Sequence, residues 1–332
     1  MNITKGCRIT GTGKYLPSKV ITSGEMEKQL GLPAGWIERL SGVRERRFAA
    51  GETNADMAVY ALKEALANSN LGMEDIDLLI SSSVTFDYIL PFQAALILKG
   101  LNDGRKLNTP AMDINSSCTS FLTALDIAVN LLDGKKYKNI AIVSSELSSK
   151  GLAPEVKEVF TLFGDGAAAA ILTWDEDQRS GFVKSMMKTY PEGFYYSIIK
   201  GGGNIYHIKY NPYDPKLHSF IMEGKKLLRL AKETIPLYFD EFFMDLDIKI
   251  EDVDVIIAHQ ASKAGLSGFK NMYPGLKGVL YSNLETHGNC IAASIPMCLH
   301  DTIEKGILKR GASCMLAGTA AGFAIGSILI RY

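Results

Sequence analysis

The stretch Asp113-Ile114-Asn115-Ser116-Ser117-Cys118-Thr119-Ser120-Phe121 sets one thiol among small polar residues, directly ahead of an apolar run. Phe121, Leu122, Leu125, Ala128, Val129 and Leu132 recur at helical spacing, and the run stops at Asp133-Gly134. Ser116 or Ser117 is a natural N-cap, which puts Cys118 in the first turn of the predicted helix. A thiol there meets unpaired backbone N–H groups and the positive end of the helix dipole, conditions that favour the thiolate. The same position also suits a small buried hydrophobe, the commonest role of an unpaired cysteine. The helix is apolar on most faces, so it is expected in the interior.

Two more polar residues fall where ligands collect. Asp254-Val255-Ile256-Ile257-Ala258 reads as a strand that ends at His259-Gln260-Ala261-Ser262. His259 therefore sits at a C-terminal strand tip, where α/β proteins gather their ligands, although a single histidine there is also a common structural feature. His287-Gly288-Asn289 precedes a second helix resembling the one after Cys118. Asn289 suits an N-cap equally well. Two such helices meeting at their N-termini bring Cys118 and Asn289 into one pocket.

The elements that must position these residues repeat. Glu74-Asp75-Ile76-Asp77-Leu78-Leu79-Ile80 returns as Glu251-Asp252-Val253-Asp254-Val255-Ile256-Ile257. An offset of 172 pairs Cys118 with Cys290, Gly134 with Gly306, and Ile140–Glu146 with Ala312–Gly318, and sets Asn289 opposite Ser117. A duplicated α/β unit explains this order, and 332 residues is ample for two fused halves, 1–173 and 174–332. Strands are expected at Ile3–Thr12, Leu78–Val84, Ile140–Ser145 and Ala167–Thr173. Helices are expected at Glu25–Leu30, Gly35–Leu40 and Thr53–Ser69, the last with Met57, Ala61 and Ala65 on one stripe. Lys184 to Pro215, rich in tyrosine, phenylalanine and glycine and including Tyr213, reads as a long excursion over a pocket or partner surface, or as a packed surface insertion.

Composition excludes several classes. Lys plus Arg and Asp plus Glu number 36 each, which leaves no general attraction for nucleic acid. The five cysteines have no CxxC spacing, which argues against a zinc site or a disulfide framework and fits a reducing cytoplasm. Met1 to Gly13 has no apolar core of signal-peptide length. Ala312 to Ile330 runs uncharged with glycines at 318, 322 and 326, but the repeat makes it two buried strands rather than a membrane span. Gly11-x-Gly13 is followed by Leu16-Pro17 and is no dinucleotide fingerprint.

The whole pattern resembles the β-ketoacyl-acyl-carrier-protein synthase III family, condensing enzymes of the thiolase-like superfamily, from about Ile9 to Tyr332. The motifs are Gly11-Thr12-Gly13-x-Tyr15-Leu16-Pro17, Trp36-Ile37, Gly42-Val43-Arg44-Glu45-Arg46, Cys118 and Phe163-Gly164-Asp165-Gly166-Ala167. Met222-x-Gly224, His259-Gln260-Ala261, His287-Gly288-Asn289-x-x-Ala292-Ala293-Ser294-x-Pro296, Gly326-Ser327 and Arg331 follow. The resemblance implies an α/β thiolase-like fold of five layers, helix–sheet–helix–sheet–helix. It implies a Cys118–His259–Asn289 triad, with the N–H groups of Cys118 and Ala321 as oxyanion hole. Trp36, Lys157, Phe163 and Leu90 become substrate-binding residues.

The activity it implies is loading of an acyl group on Cys118, followed by decarboxylative Claisen condensation with a malonyl thioester. Acyl carrier protein and coenzyme A thioesters are the expected partners, in a cytoplasmic homodimer with no metal or redox cofactor. The alternative is a head-to-head acyl condensing or acyltransferase relative of secondary metabolism. Three departures bear on the substrate. Leu40 and Ala264 replace basic residues that grip coenzyme A phosphates in the family, and its glycine run is Ala320-Ala321-Gly322 here.

Overall fold

In Asn139–Glu146, Ile140 and Ile142 point to one side and Ala141 and Val143 to the other, and all four are buried. A strand apolar on both faces has to be covered on both. The computed structural model, which describes residues 2–102, 107–212 and 214–332, shows how; Met1 and Tyr213 lie outside them.

The first half contributes β1 (Lys5–Tyr15), β2 (Leu78–Ser81), β3 (Ala111–Asp113), β4 (Asn139–Glu146) and β5 (Gly166–Trp174). The second contributes β6 (Gly181–Thr189), β7 (Val255–Ala258), β8 (Val279–Tyr281), β9 (Ser313–Ala320) and β10 (Ala324–Arg331). Across the sheet the order is β8-β7-β9-β10-β6-β1-β5-β4-β2-β3. Each half thus repeats one arrangement, with β2 parallel to β3 and β4, and β5 antiparallel to β4 and β1. The second half does the same with every number raised by five. The halves join where β1 meets β6 through Lys5–Phe182 and Gly6–Gly181, so the sheet is formally continuous.

Six longer helices complete the layers: α1 (Asn54–Ser69), α2 (Gln93–Leu101), α3 (Ser120–Leu131), α4 (Gly224–Phe243), α5 (Lys263–Met272) and α6 (Ser294–Glu304). Phe121 and Leu125 of α3 and Ile295 and Leu299 of α6 share one core with Ile142 of β4 and Leu316 of β9. Those two helices form the middle layer. On the outer faces, α1 and α2 cover Ala141 and Val143, while α4 and α5 cover Met315 and Ala317. This is the expected five-layer thiolase-like architecture. Met57, Ala61 and Ala65 are fully buried on α1, behind a Thr53 capping box.

One expectation is met as stated and two change in detail. The uncharged C-terminal segment forms β9 and β10, paired antiparallel from Ser313–Arg331 to Ala320–Ala324. Among the described residues no helix is long and apolar enough to cross a membrane. Lys184–Thr189 belongs to β6, so the excursion begins at Tyr190, whose N–H donates to Phe323 O at 2.8 Å.

The repeat offset near the site is 174, not 172. Asn115 Oδ1 accepts from Ser117 N–H at 3.0 Å, and Asn289 Oδ1 accepts from Ile291 N–H at 2.8 Å. Ser116 N–H donates to Ser120 Oγ, and Cys290 N–H donates to Ser294 Oγ, both at 3.0 Å. Cys118 therefore answers to Ala292, and Asn289 to Asn115 rather than Ser117.

Candidate active site

The expected N-cap fails in an informative way. Helix α3 begins at Ser120 with Thr119 as its cap residue, so Cys118 lies one residue before the cap rather than in the first turn. Ser116 and Ser117 instead build a tight turn, with Ser117 at φ +56°. The thiol keeps some accessible surface but sits deep in protein. Burial, and then the charge of Glu146, push its pKa up to about 12. The N–H groups of Ala321 and of Cys118 itself pull the other way. The resting group is the thiol, against the thiolate the helix-dipole argument predicts; desolvation outweighs the dipole.

His259 stands just past β7, buried, and its N–H donates to Ala317 O at 2.8 Å. Burial lowers its pKa to about 4, so the imidazole is neutral at physiological pH. Its Nδ1 is buried without a hydrogen-bond partner among the described residues. Gly318 shows how closely the neighbourhood is packed. A Cβ added there would lie 3.1 Å from His259 Cβ and 3.5 Å from Thr119 Cγ2. His259 and the residue after Cys118 thus close on the same glycine.

Asn289 arrives by a different route. Its N–H donates to Leu162 O at 3.0 Å and its carbonyl accepts from Gly164 N–H at 3.1 Å, so its backbone runs beside Phe163. A side chain at Gly164 would meet His287 O at 2.2 Å, so only glycine allows this approach. Because Asn289 Oδ1 is taken by Ile291 N–H, its amide NH2 is the group turned to donate. The buried Phe163 ring packs edge-on to Phe220 at 5.6 Å.

The remaining expected residues divide. Ala321 N–H faces the Cys118 sulfur. The left-handed conformations of this loop fall on Gly322 (φ +85°) and Phe323 (φ +39°), so alanine at 320 and 321 carries no such strain. Trp36 and Lys157 are both half-buried, and each starts a short helix, Trp36–Ser41 and Lys157–Phe160. The Trp36 helix touches both the Lys157 helix and α5. Leu90 is not part of this cluster: it is 84% exposed, beside the exposed Tyr88, Ile89 and Phe92.

Sequence reasoning missed two residues. Arg46, which the sequence presents only as the end of a family motif without a role, is fully buried and donates to Thr161 O at 2.6 Å, just ahead of Phe163. Glu146 is fully buried at the end of β4 beside Cys118. For Glu146 the one available signal was a charge closing an otherwise apolar strand; Arg46, in the middle of a charged run, gave none. A cleft of about 640 Å³ between α4 and α5 reaches His259, walled by Leu228, Ile235, Phe239, Ala264 and Phe269.

Comparison with known proteins agrees with this geometry. The family model described as 3-oxoacyl-[acyl-carrier-protein (ACP)] synthase III matches residues 112–191, and its C-terminal counterpart matches residues 243–332. The β-ketoacyl-[acyl-carrier-protein] synthase III of Aquifex aeolicus is 32% identical, covering 98% of this chain and 100% of its own. That of Caldanaerobacter subterraneus is 30% identical, covering 98% and 97%. The crystal structure of the Aquifex aeolicus 3-oxoacyl-[acyl-carrier-protein] synthase III superposes with a TM-score of 0.87 at 30% identity, covering 98% of this chain and all of that one. The priming β-ketosynthase of the R1128 polyketide pathway, at 22% identity and a TM-score of 0.88, shares the fold. These likenesses favour the condensing enzyme over the head-to-head relative, and the chain belongs to the β-ketoacyl-acyl-carrier-protein synthase III family of acyltransferases.

Proposed function

We propose that Cys118, His259 and Asn289 carry out this condensation as one site. Cys118 sulfur attacks the carbonyl carbon of an acyl thioester, the C–S bond to the carrier breaks and the Cys118 proton goes to the departing carrier sulfur, so that the carrier leaves as a thiol and the acyl group is stored covalently. A malonyl thioester then loses carbon dioxide, and the electron pair of the broken C–C bond passes into an enolate. Neutral His259 and the NH2 of Asn289 donate to that enolate oxygen; each donor in such a site typically contributes roughly 3 kcal/mol. The enolate carbon attacks the acyl-cysteine, whose oxyanion lies at the N–H groups of Cys118 and Ala321; the intermediate collapses with cleavage of the C–S bond, and the released Cys118 sulfur takes a proton from solvent to restore the thiol. No step calls for a metal or a redox group.

The observation that carries this reading is the pairing of the two turns. Cys118 faces Ala321 N–H on one, and Asn289 has its acceptor occupied and its donor available on the other. Intact-mass measurement of the enzyme with a panel of acyl-coenzyme A thioesters tests it. A single acyl adduct, absent from Cys118→Ala, is expected; an adduct that survives in the variant sinks the assignment.

Trp36, Lys157 and Phe163 complete the proposed substrate path, together with Leu90, which in a homodimer would reach into the tunnel of the other copy. Leu40 and Ala264 offer no charge to coenzyme A phosphates, and the apolar cleft beside His259 lies within the size range of small-molecule sites, about 300–1,000 Å³. Both features support medium or long acyl groups, or groups borne on acyl carrier protein, over acetyl-coenzyme A. Acylation rates of Cys118 with acetyl and octanoyl thioesters on both carriers decide this; a clear preference for acetyl-coenzyme A reverses it.

We read the protein as a homodimer in the cytoplasm, built of halves 1–173 and 174–332. The exposed Phe86, Tyr88, Ile89, Leu90 and Phe92, beside the sheet-edge strand β3, support the dimer. Light scattering that returns only the 36.2 kDa chain mass at micromolar concentration counts against it.

A further inference from the structure

Applied to the loops around Cys118, the 174-residue offset pairs Ala321 with Leu147 and Ala320 with Glu146, the last residues of β9 and β4. In the first arrangement the N–H groups of Cys118 and Ala321 surround the reacting centre. In the duplicate the nucleophile is replaced by Ala292, whose turn packs on β4 and whose N–H interacts with the Glu146 carboxylate. A side chain of the protein fills the hole that the duplication left.

That carboxylate is tied on its other side as well. One oxygen accepts from Val84 N–H at 2.8 Å, and the second from Thr85 N–H at 3.0 Å and Thr85 Oγ at 2.7 Å. The two halves therefore meet on one group, fully buried and surrounded by donors. An acceptor-only carboxylate suits four donors, whereas an amide would turn its NH2 against at least one of them. A buried charge is tolerated only when hydrogen-bonded in this way. Ala292 is three residues after Asn289, and Asn289 Oδ1 is itself bonded to the intervening Ile291 N–H. Ile291 is held at φ +46°, a conformation a β-branched residue adopts only when its surroundings impose it.

We propose that Glu146 is a positioning residue for the carbon-donor step: its carboxylate clamps Ala292 N–H to the Val84–Thr85 turn and so fixes the Asn289 amide at the enolate oxygen. The inference rests on the assignment of Asn289 given above. It separates the two half-reactions, because loading of Cys118 does not use Asn289.

The test measures both half-reactions on the full-length enzyme. Loading is followed by intact mass with octanoyl-coenzyme A, and decarboxylation by carbon dioxide release from malonyl-acyl-carrier protein without an acyl donor. For Glu146→Gln, which also removes the charge that raises the Cys118 pKa, loading no slower than wild type and decarboxylation slowed at least tenfold are expected. Glu146→Asp, which keeps the charge, should recover part of the loss. Thr85→Val, which removes one of the four bonds together with the Oγ that accepts from Asn54 Nδ2 and Leu147 N–H, should slow decarboxylation less and serves if Glu146→Gln does not fold. A fall of loading and decarboxylation by the same factor in Glu146→Gln and Thr85→Val makes the role purely structural and overturns the proposal. Asn289→Ala is the reference. Should it leave decarboxylation intact, the assignment of Asn289 fails; should it slow decarboxylation while Glu146→Gln and Thr85→Val run at wild-type speed, only the role of Glu146 fails.

Discussion

The turns Asn115–Ser120 and Asn289–Ser294 make the same hydrogen bonds, hold their third residue at the same left-handed φ and lead into equivalent buried helices, yet they offer opposite chemistry. The first presents a thiol and backbone N–H groups. The second presents a side-chain amide, and where the thiol would stand it has Ala292 under the Glu146 carboxylate. Duplication supplied one rigid turn twice. In the proposed reaction the nucleophile of one copy and the donor of the other are each held by such a turn rather than by a flexible loop. Rigid, twice-anchored placement is what a site that stabilises developing charge requires.

The comparison breaks most visibly at the sulfur. Cys118→Ala is expected to abolish covalent acylation, while Cys290→Ala keeps it, since Cys290 is 1% exposed and burial pushes its thiol far up. Mass spectrometry after incubation with an acyl thioester reads both. Next in size is the state of the thiol. With a pKa near 12, iodoacetamide alkylation of resting Cys118 should rise about tenfold per pH unit from pH 7 to 10. A plateau below pH 8 would show instead that the helix dipole dominates after all.

The two asparagines sharpen the contrast. Asn289→Ala should slow malonyl decarboxylation about 100-fold, equivalent to roughly 3 kcal/mol, with loading kept. Asn115→Ala, which loosens the turn carrying Cys118, should act on loading instead. Equal effects of both variants on both steps would dissolve the distinction between the turns.

Acid stability gives a smaller effect. The folded pKa of His259 lies near 4, below its ordinary 6.5, so the unfolded chain binds its proton first as pH falls. The stability this represents is present above pH 6.5 and is lost on the way down to pH 4, on the order of 3 kcal/mol in all. Glu146, raised to about 7, works in the opposite direction over the same window. Urea unfolding of wild type and His259→Asn, both of which keep Glu146, isolates the histidine. Wild type should lose more stability than the variant between pH 7 and 4.5, and parallel losses would contradict the buried neutral imidazole. Smallest of all, Ser117→Gly should raise stability by about 1 kcal/mol by relieving the left-handed strain, visible as a higher denaturant midpoint.

Much of this molecule follows from sequence alone. Apolar periods located the strands and helices because burial of a repeated face depends only on spacing along the chain. The two copies of Glu-Asp-aliphatic-Asp announced the duplication, and the motifs around Cys118, His259 and Asn289 carried the family. Alignment of the copies by like residues, Cys118 on Cys290, was two residues out. What the copies share is a set of bonds from backbone N–H groups to the side chains of Asn115 and Ser120 in one and Asn289 and Ser294 in the other, and those are indifferent to which side chain stands at the nucleophile's position. The protonation of Cys118, the burial of Arg46 and the clamp at Glu146 depended on tertiary structure. Each is decided by desolvation and by donors distant in sequence (Thr161 for Arg46, Val84 and Ala292 for Glu146), and only the folded chain brings these together.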